Sequence, residues 1–143
     1  MSNITHADTH TALFESFTKI KVRQQEYTLF VTFDNPPVNV LDGTLMQELF
    51  QLCNAMDADD TVRAIVFDSA NKDIFLAHGD MNFVAKPETF MVFEEYTVDN
   101  GLNPMQQLHM RIQNLKQVTI GKLKGFMRGG GNELAMSFDM LCG

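Results

Sequence analysis

The chain has few of the residues that carry disulfides, metals or nucleic acid. It has two cysteines and no tryptophan, and its 11 basic residues are outnumbered by 18 acidic ones, for a formal net charge of −7 at pH 7. A phosphate backbone requires a basic protein surface, so this charge argues against nucleic acid as a partner. No run of 18 apolar residues occurs, so the sequence predicts no membrane-spanning helix and no membrane partner.

The cysteines and histidines form no metal-binding pattern. Cys53 and Cys142 are far apart and the sequence contains no C-x-x-C, while the H-x-x-x-H spacing of His6 and His10 lies in the N-terminal segment, far from His78 and His109. We interpret both cysteines as reduced packing residues and expect no metal site. Residues 1–10 are polar and lack the apolar core of a signal peptide, so we expect a cytoplasmic location.

Apolar periodicity predicts one domain of alternating strands and helices. Residues 1–18 show no clear period and predict a flexible leader, whereas residues 19–143 carry the periodic segments. The predicted strands are 20–23, 27–33, 62–68 and 118–123; helices are predicted at 43–56, from Asn103-Pro104 and from about Asn132, with a loop at 71–84 and an ambiguous stretch at 86–100. This order predicts an α/β fold.

Two of the predicted helices begin with capping signals. Asp42 or Thr44 can cap the helix at 43–56, and Thr44 with Gln47 has the spacing of a capping box. Asn103 precedes a proline and stands three residues before a glutamine, which predicts a strong helix start.

The segment Gly125-Phe-Met-Arg-Gly-Gly-Gly-Asn-Glu-Leu-Ala135 carries the strongest chemical signal. Glycine lets a ligand approach the backbone closely, and a helix N-terminus supplies free N–H groups and a positive dipole end. The segment lacks the Gly-Lys-Ser/Thr of a phosphate-binding loop, the G-x-G-x-x-G of a dinucleotide site and the serine of a nucleophile elbow. It therefore predicts backbone donors that meet developing negative charge, with Glu133 beside them to move a proton.

Three segments, taken in order, resemble the enoyl-CoA hydratase/isomerase (crotonase) family. They are Asn35-Pro-Pro-Val-Asn-Val-Leu41, then Val62–Phe67 followed by Phe75-Leu-Ala-His-Gly-Asp80, then Lys116–Gly125 followed by Gly129-Gly-Gly-Asn-Glu-Leu-Ala135 and Asp139. The resemblance covers about residues 18–143. It implies a crotonase-like spiral of ββα units, truncated before the C-terminal half and the trimerisation helices, so that residues 19–143 are a partial crotonase-like domain.

The resemblance also implies a site. By position, the amides of Gly79 and Gly130 would bind the thioester carbonyl of an acyl-CoA, and Glu133 would be the acid/base. Coenzyme A would arrive as part of the substrate, with no separate cofactor. The surrounding substrate-binding loop would comprise Ala77, His78, Asp80, Met81 and Asn82.

Two departures from the family pattern bear on activity. His78 stands where the family has glycine, and a histidine there is strained if the backbone needs a positive φ. The sequence also stops ten residues after Glu133, before the position of the second glutamate of the hydratases. The resemblance implies an acyl-CoA lyase or isomerase of fatty acid metabolism that forms a homo-oligomer. A non-catalytic acyl-CoA-binding or assembly protein is the alternative, and a fragment stabilised by pairing with another copy is a third.

Several residues carry two interpretations at this stage. We expect Asp80 to hold its loop by accepting backbone N–H bonds, Asp139 to anchor a strand, and His109 to be a core or interface residue. Arg128 would face either a CoA phosphate or solvent. Phe83, Phe90 and Phe93 would line an acyl tunnel or belong to the core.

Overall fold

A twisted mixed sheet organises the protein. The computed structural model describes residues 6–88 and 101–143. Among these residues one sheet has the strand order β1-β2-β3-β5-β7, and a small second sheet pairs β4 with β6. The strands are β1 (Ile20–Gln25), β2 (Thr28–Phe33), β3 (Ala64–Ser69), β4 (Ile74–Leu76), β5 (Val118–Lys122), β6 (Phe126–Met127) and β7 (Met140–Cys142).

Helices connect the parallel strands of this sheet. They are α1 (His6–Ser16), α2 (Gly43–Ala58), α3 (Asn82–Ala85), α4 (Pro104–Gln113) and α5 (Gly130–Ala135). β1 runs antiparallel to β2, whereas the pairs β2–β3, β3–β5 and β5–β7 are all parallel. Parallel neighbours require crossover connections, which α2, α4 and α5 supply. The α/β prediction is therefore confirmed.

The core lies between this sheet and the helices that pack on it. Alternate residues of β2 point inward, and Leu29, Val31 and Phe33 are fully buried. The ring of Phe67 on β3 stacks on the ring of Phe138, with 4.4 Å between their centroids. Burying such a side chain contributes roughly 1.5–3 kcal/mol, so the alternating pattern fixes which face of the sheet is covered.

The segment predicted as a flexible leader contains a helix in the structure. Leu13 and Phe14 of α1 pack against the core, and Phe17 is 5% exposed. These apolar residues recur at helical spacing, a signal that the polar residues around them obscured. After the helix, the buried carboxylate of Glu48 accepts bonds from the amides of Thr18, Lys19 and Ile20 at 2.6, 2.8 and 3.1 Å.

The two capping predictions have different outcomes. α2 is capped by Asp42, whose Oδ1 accepts the amide of Leu45 at 2.9 Å, so Thr44 is a residue of the helix and not its cap. α4 has the predicted capping box, in which Asn103 and Gln106 each accept the other's backbone N–H at 2.9 and 3.0 Å.

The structure differs from the sequence predictions in part of one loop and at one cysteine. The loop predicted at 71–84 contains β4 and the start of α3, and α5 begins at Gly130, two residues before the predicted start. Cys53 is buried as predicted, but Cys142 is exposed on β7. Phe90 and Phe93 lie outside the described residues. Within the described ranges, no helix is both long enough and apolar enough to cross a membrane.

Candidate active site

The small sheet brings the two glycine-containing segments together. β4 and β6 are parallel, with Ile74 opposite Phe126 and Leu76 opposite Met127. Each strand leads directly into one segment, residues 77–80 after β4 and residues 128–131 after β6. Because parallel strands end at the same edge, the two segments meet there, although about fifty residues separate them in the chain.

Gly131 allows the two segments to touch. A Cβ atom on Gly131 would lie 2.3 Å from the carbonyl oxygen of Ala77 and 2.4 Å from that of Leu76. Real Cβ atoms do not approach backbone this closely, so a larger residue would force the segments apart. The close approach of the two segments therefore explains why the third residue of the run, Gly131, has no side chain.

Gly79 and Gly130 face a common space. A Cβ on Gly130 would lie 3.1 Å from the nitrogen of Gly79. The terminal methyl Cε of Met105 is the shared neighbour, 3.3 Å from a Cβ on Gly79 and 3.2 Å from one on Gly130. The absence of side chains at these two glycines leaves the backbone accessible beside the tip of a flexible methionine.

The backbone around Gly79 is held by its neighbours. Leu41 donates to the carbonyl of His78 and accepts from the amide of Asp80, both at 3.1 Å. These bonds flank Gly79 and leave its own amide out of the pairing. Within residues 6–88 and 101–143, the amides of Gly79 and Gly130 donate to no protein acceptor, whereas the next amide in the helix, that of Gly131, donates to Arg128.

Asn39 ties the first motif to the second. Its side-chain Nδ2 donates to Ser69 Oγ at 2.8 Å and to the carbonyl of Phe75 at 3.1 Å, and its Oδ1 accepts the backbone N–H of Asn35 at 2.8 Å. Its carbonyl accepts from Ala77 at 2.9 Å, and its φ is +54°. The sequence marked Asn39 as part of a motif without a role, and the structure shows that it holds the backbone leading to Gly79.

His78 occupies its position without backbone strain. The non-glycine residues with positive φ in the described part of the chain are Glu26 and Asn39, so the strain considered for His78 does not arise. Its ring is exposed, and Nδ1 lies 2.7 Å from the carbonyl oxygen of Gly79. The histidine side chain therefore engages the Gly79 carbonyl, on the same residue whose amide is unpaired.

The rest of the predicted substrate-binding loop is partly structural. Asp80 accepts the backbone and side-chain N–H groups of Asn82 at 2.8 and 2.9 Å, which confirms its predicted loop-holding role. Ala77 is buried, whereas Asn82 is exposed at the start of α3 and the side chain of Met81 is 64% exposed. Met81 and Asn82 therefore remain accessible to a ligand.

Glu133 lies one turn into α5, and its electrostatic neighbour is a histidine. The Glu133 side chain is exposed, while its amide donates to the carbonyl of Gly129 at 3.0 Å. Burial lowers the pKa of His109, and the negative charge of Glu133 acts in the opposite direction. The Nε2 atom of His109 is buried and has no hydrogen-bond partner among residues 6–88 and 101–143. From the sequence we expected His109 to be a core or interface residue, because helical periodicity does not show which helix packs against it.

The described residues contain no group of three or more His, Cys, Asp and Glu side chains that could hold a metal ion. The chemistry that the site offers is that of two backbone donors and one carboxylate. Such a set can bind a carbonyl oxygen and exchange a proton with an atom near it.

Comparisons with known proteins agree on one family. The enoyl-CoA hydratase/isomerase family model matches residues 23–142. The fatty acid oxidation complex subunit alpha of Idiomarina loihiensis is 31% identical over 75% of this chain and 15% of its own. The Rhizobium meliloti protein named "Probable enoyl-CoA hydratase" is 32% identical over 88% of this chain and 46% of its own.

The fold comparison gives the same answer. The crystal structure of a Streptomyces avermitilis protein assigned as an enoyl-CoA hydratase superposes with a TM-score of 0.81 and 35% identity, over 88% of this chain and 46% of that one. The chain thus spans less than half the length of these relatives, and the crotonase-like fold predicted from the sequence is confirmed for the part that it contains. On the evidence of its residues, its fold and these relatives, the chain belongs to the enoyl-CoA hydratase/isomerase family.

Proposed function

We propose that this chain carries the oxyanion-binding and proton-transferring part of an acyl-CoA lyase/isomerase site. The amides of Gly79 and Gly130 bind the thioester carbonyl, and Glu133 exchanges a proton with the acyl chain. The observation that supports the proposal is that the amides of Gly79 and Gly130 donate to no acceptor among the described residues and lie on adjoining backbone. The nitrogen of Gly79 is 3.1 Å from the position that a Cβ atom on Gly130 would take.

The chemistry requires such a pair of donors. When a proton leaves the carbon beside a thioester, or water adds to the neighbouring alkene, negative charge develops on the carbonyl oxygen. Two fixed N–H donors stabilise the enolate more than the neutral carbonyl, and this difference lowers the barrier. Gly130 is the first residue of α5, so its amide lies at the positive end of the helix dipole.

The proton carrier of the proposal is Glu133. It is three residues after Gly130 in the same helix, so the two project from nearly the same side of α5. A carboxylate in this place acts as a base toward the carbon next to the thioester and as an acid when the proton returns. One carboxylate is sufficient for double-bond isomerisation, so this reaction is the simplest that the described residues support.

The test uses crotonyl-CoA and a matched pair of variants at Gly79. Gly79→Pro removes the N–H without breaking a protein hydrogen bond, whereas Gly79→Ala keeps the N–H and adds a methyl group that meets only the mobile Cε of Met105. We expect the loss of one donor to lower kcat about 10²- to 10³-fold, and Gly79→Ala to retain most of the activity.

Glu133→Gln completes the experiment. It preserves shape and removes the exchangeable proton, so we expect kcat for hydration or isomerisation to fall about 10²- to 10⁴-fold. Circular dichroism of each variant shows whether it is folded. Equal activity of Gly79→Pro and Gly79→Ala, both folded, would contradict the proposed role of the Gly79 amide.

A second candidate function is acyl-CoA binding or assembly without turnover. The exposure of Glu133 favours it, because proton transfer is most effective from a carboxylate shielded from water. Calorimetric titration with crotonyl-CoA separates the two: saturable binding with no change in the enoyl absorbance supports the binding protein, and turnover supports the enzyme.

The proposal includes self-association in the cytoplasm. Met136, Met140 and Leu141 are large apolar side chains that are 69%, 58% and 46% exposed on and before β7. Apolar groups exposed beside a strand edge favour contact with another polypeptide, and a second copy of the chain is the partner proposed here. Sedimentation equilibrium measures the mass in solution, and a monomer at all concentrations would contradict this part.

A further inference from the structure

The helix that carries His109, α4, packs against the helix that carries Glu133, α5. On α4, Met105 and His109 are four residues apart, and on α5, Gly130 and Glu133 are three residues apart, so each pair lies along one face of its helix. Met105 touches the Gly130 position at 3.2 Å. His109 is one turn beyond Met105 on α4, Glu133 is one turn beyond Gly130 on α5, and the negative charge of Glu133 acts on the imidazole of His109.

The Nε2 atom of His109 is the unusual feature of this contact. It is buried, and within the described residues it has no hydrogen-bond partner. A buried polar atom without a partner destabilises the folded state, so each such atom in a native structure requires an explanation. Burial also lowers the pKa of His109, which keeps the ring neutral at pH 7 and able to carry its single proton on either nitrogen.

The side chain of Glu133 is exposed and can change rotamer, so its carboxylate can become the acceptor that Nε2 of His109 lacks. When an acyl chain covers Glu133, the carboxylate loses water and requires a new donor. We propose that His109 then donates through Nε2–H to the Glu133 carboxylate, and that it acts as a positioning residue which orients this carboxylate toward the substrate. The inference rests on the proposed role of Glu133.

Other charged groups near these helices already have partners. Arg111 on α4 donates to Asp57 and Asn54 of α2 at 2.7 and 2.8 Å, and Glu48 of α2 accepts the amides that follow α1. From α5, the charged group that acts on His109 is Glu133. The imidazole is therefore a donor on α4 that remains available to Glu133.

The test compares His109→Leu with His109→Gln. Leucine preserves apolar volume and removes the donor, while the side-chain amide of glutamine supplies an N–H close to the place of Nε2. We expect His109→Leu to lower kcat for crotonyl-CoA about 10- to 100-fold, with KM little changed and the acidic limb of the kcat–pH profile moved to higher pH. His109→Gln restores most of kcat and the original acidic limb.

A readout without turnover separates this inference from the proposed function. In the free chain, the NMR-observed pKa of His109 falls when Glu133 is replaced by glutamine if the two side chains are neighbours. An unchanged pKa overturns the inference whatever the activity. If Glu133→Gln abolishes turnover but His109→Leu leaves kcat and its pH profile unaltered, the proposed function stands and the role of His109 is wrong.

Discussion

Thr119 and Asp139 form a closed ring of hydrogen bonds between β5 and the turn before β7. Asp139 Oδ2 accepts the amide and the hydroxyl of Thr119 at 2.8 and 2.9 Å, and the amide of Asp139 donates back to the Thr119 Oγ1 at 2.9 Å. Thr119 is fully buried, so its amide and hydroxyl depend on this partner, whereas Asp139 itself is exposed. The predicted anchoring role of Asp139 is confirmed.

We expect Thr119→Val to lower the free energy of unfolding by about 1–3 kcal/mol. Valine has nearly the same volume but leaves Asp139 without the hydroxyl, and bonds to charged groups are worth this much. Urea denaturation measures the change. Asp60→Asn is the control, because the Asp60 side chain is 92% exposed in its ion pair with Lys116 and should cost less than ~0.5 kcal/mol. Equal effects of the two substitutions would argue against the ring as a stabilising unit.

The glycines of the two segments should respond differently to alanine. Gly131→Ala places Cβ 2.3 Å from a backbone oxygen that cannot move freely, and we expect a loss of at least about 2 kcal/mol. Gly79→Ala meets only the Met105 methyl at 3.3 Å, so its stability should stay within about 0.5 kcal/mol of the parent. Thermal melts of both variants check the difference, and a Gly131→Ala protein as stable as Gly79→Ala would show that the contact is looser than described.

The two cysteines should differ in reactivity. Burial raises the pKa of Cys53 to about 12 and keeps the thiol from reagents, whereas Cys142 is exposed. Ellman's reagent at pH 8 should modify one thiol per folded chain, and the second only in denaturant. Cys142→Ser provides the control, since its folded form should show no rapid reaction.

Asp59 should make stability depend on acid. Burial opposes its ionisation, but the hydroxyl of Thr61, the amides of Thr61 and Val62 and the charge of His10 together bring the pKa of Asp59 below its ordinary 3.8. A carboxyl whose pKa is lower in the folded chain than in the unfolded chain stabilises the fold at any pH above its unfolded-state pKa. This stabilisation is lost as the pH falls below about 4.

The measurement is the free energy of unfolding between pH 6 and pH 2. Asp59→Asn should be less stable than the parent at pH 6, and the gap between them should narrow toward pH 2. Asp73→Asn, at an exposed loop position, provides the comparison. A gap that stays constant with pH would assign the effect of Asp59 to shape and not to charge.

Local patterns in the sequence predicted much of this fold. The elements that could not be predicted depend on contacts between residues far apart in the chain. The helix start at Asn103 follows from residues three apart, and the alternation in β2 follows from adjacent residues, so both were predictable. β6 and β7 have two and three residues, too few for a period to emerge, and they exist because neighbouring strands pair with them. α5 begins among glycines, which are poor helix formers, so the sequence predicts its start two residues too late.

The same distinction applies to the candidate site. Gly79, Gly130 and Glu133 came from a motif, but their separation depends on how β4 pairs with β6, and no spacing in the chain encodes that distance. Met105 and His109 were visible only as members of an apolar helical face. The structure places Met105 of this face beside both glycines, and the charge of Glu133 acts on His109.

Asn39 connects several backbone segments beside the candidate site. Its side chain bonds the last residue of β3 and the middle residue of β4, and its own carbonyl accepts the amide of Ala77, which begins the segment that contains Gly79. If the amide of Gly79 binds a carbonyl oxygen as proposed, the direction of that N–H depends on a residue outside the proposed binding groups. A substitution at Asn39 would then change the proposed site while Gly79, Gly130 and Glu133 stay the same.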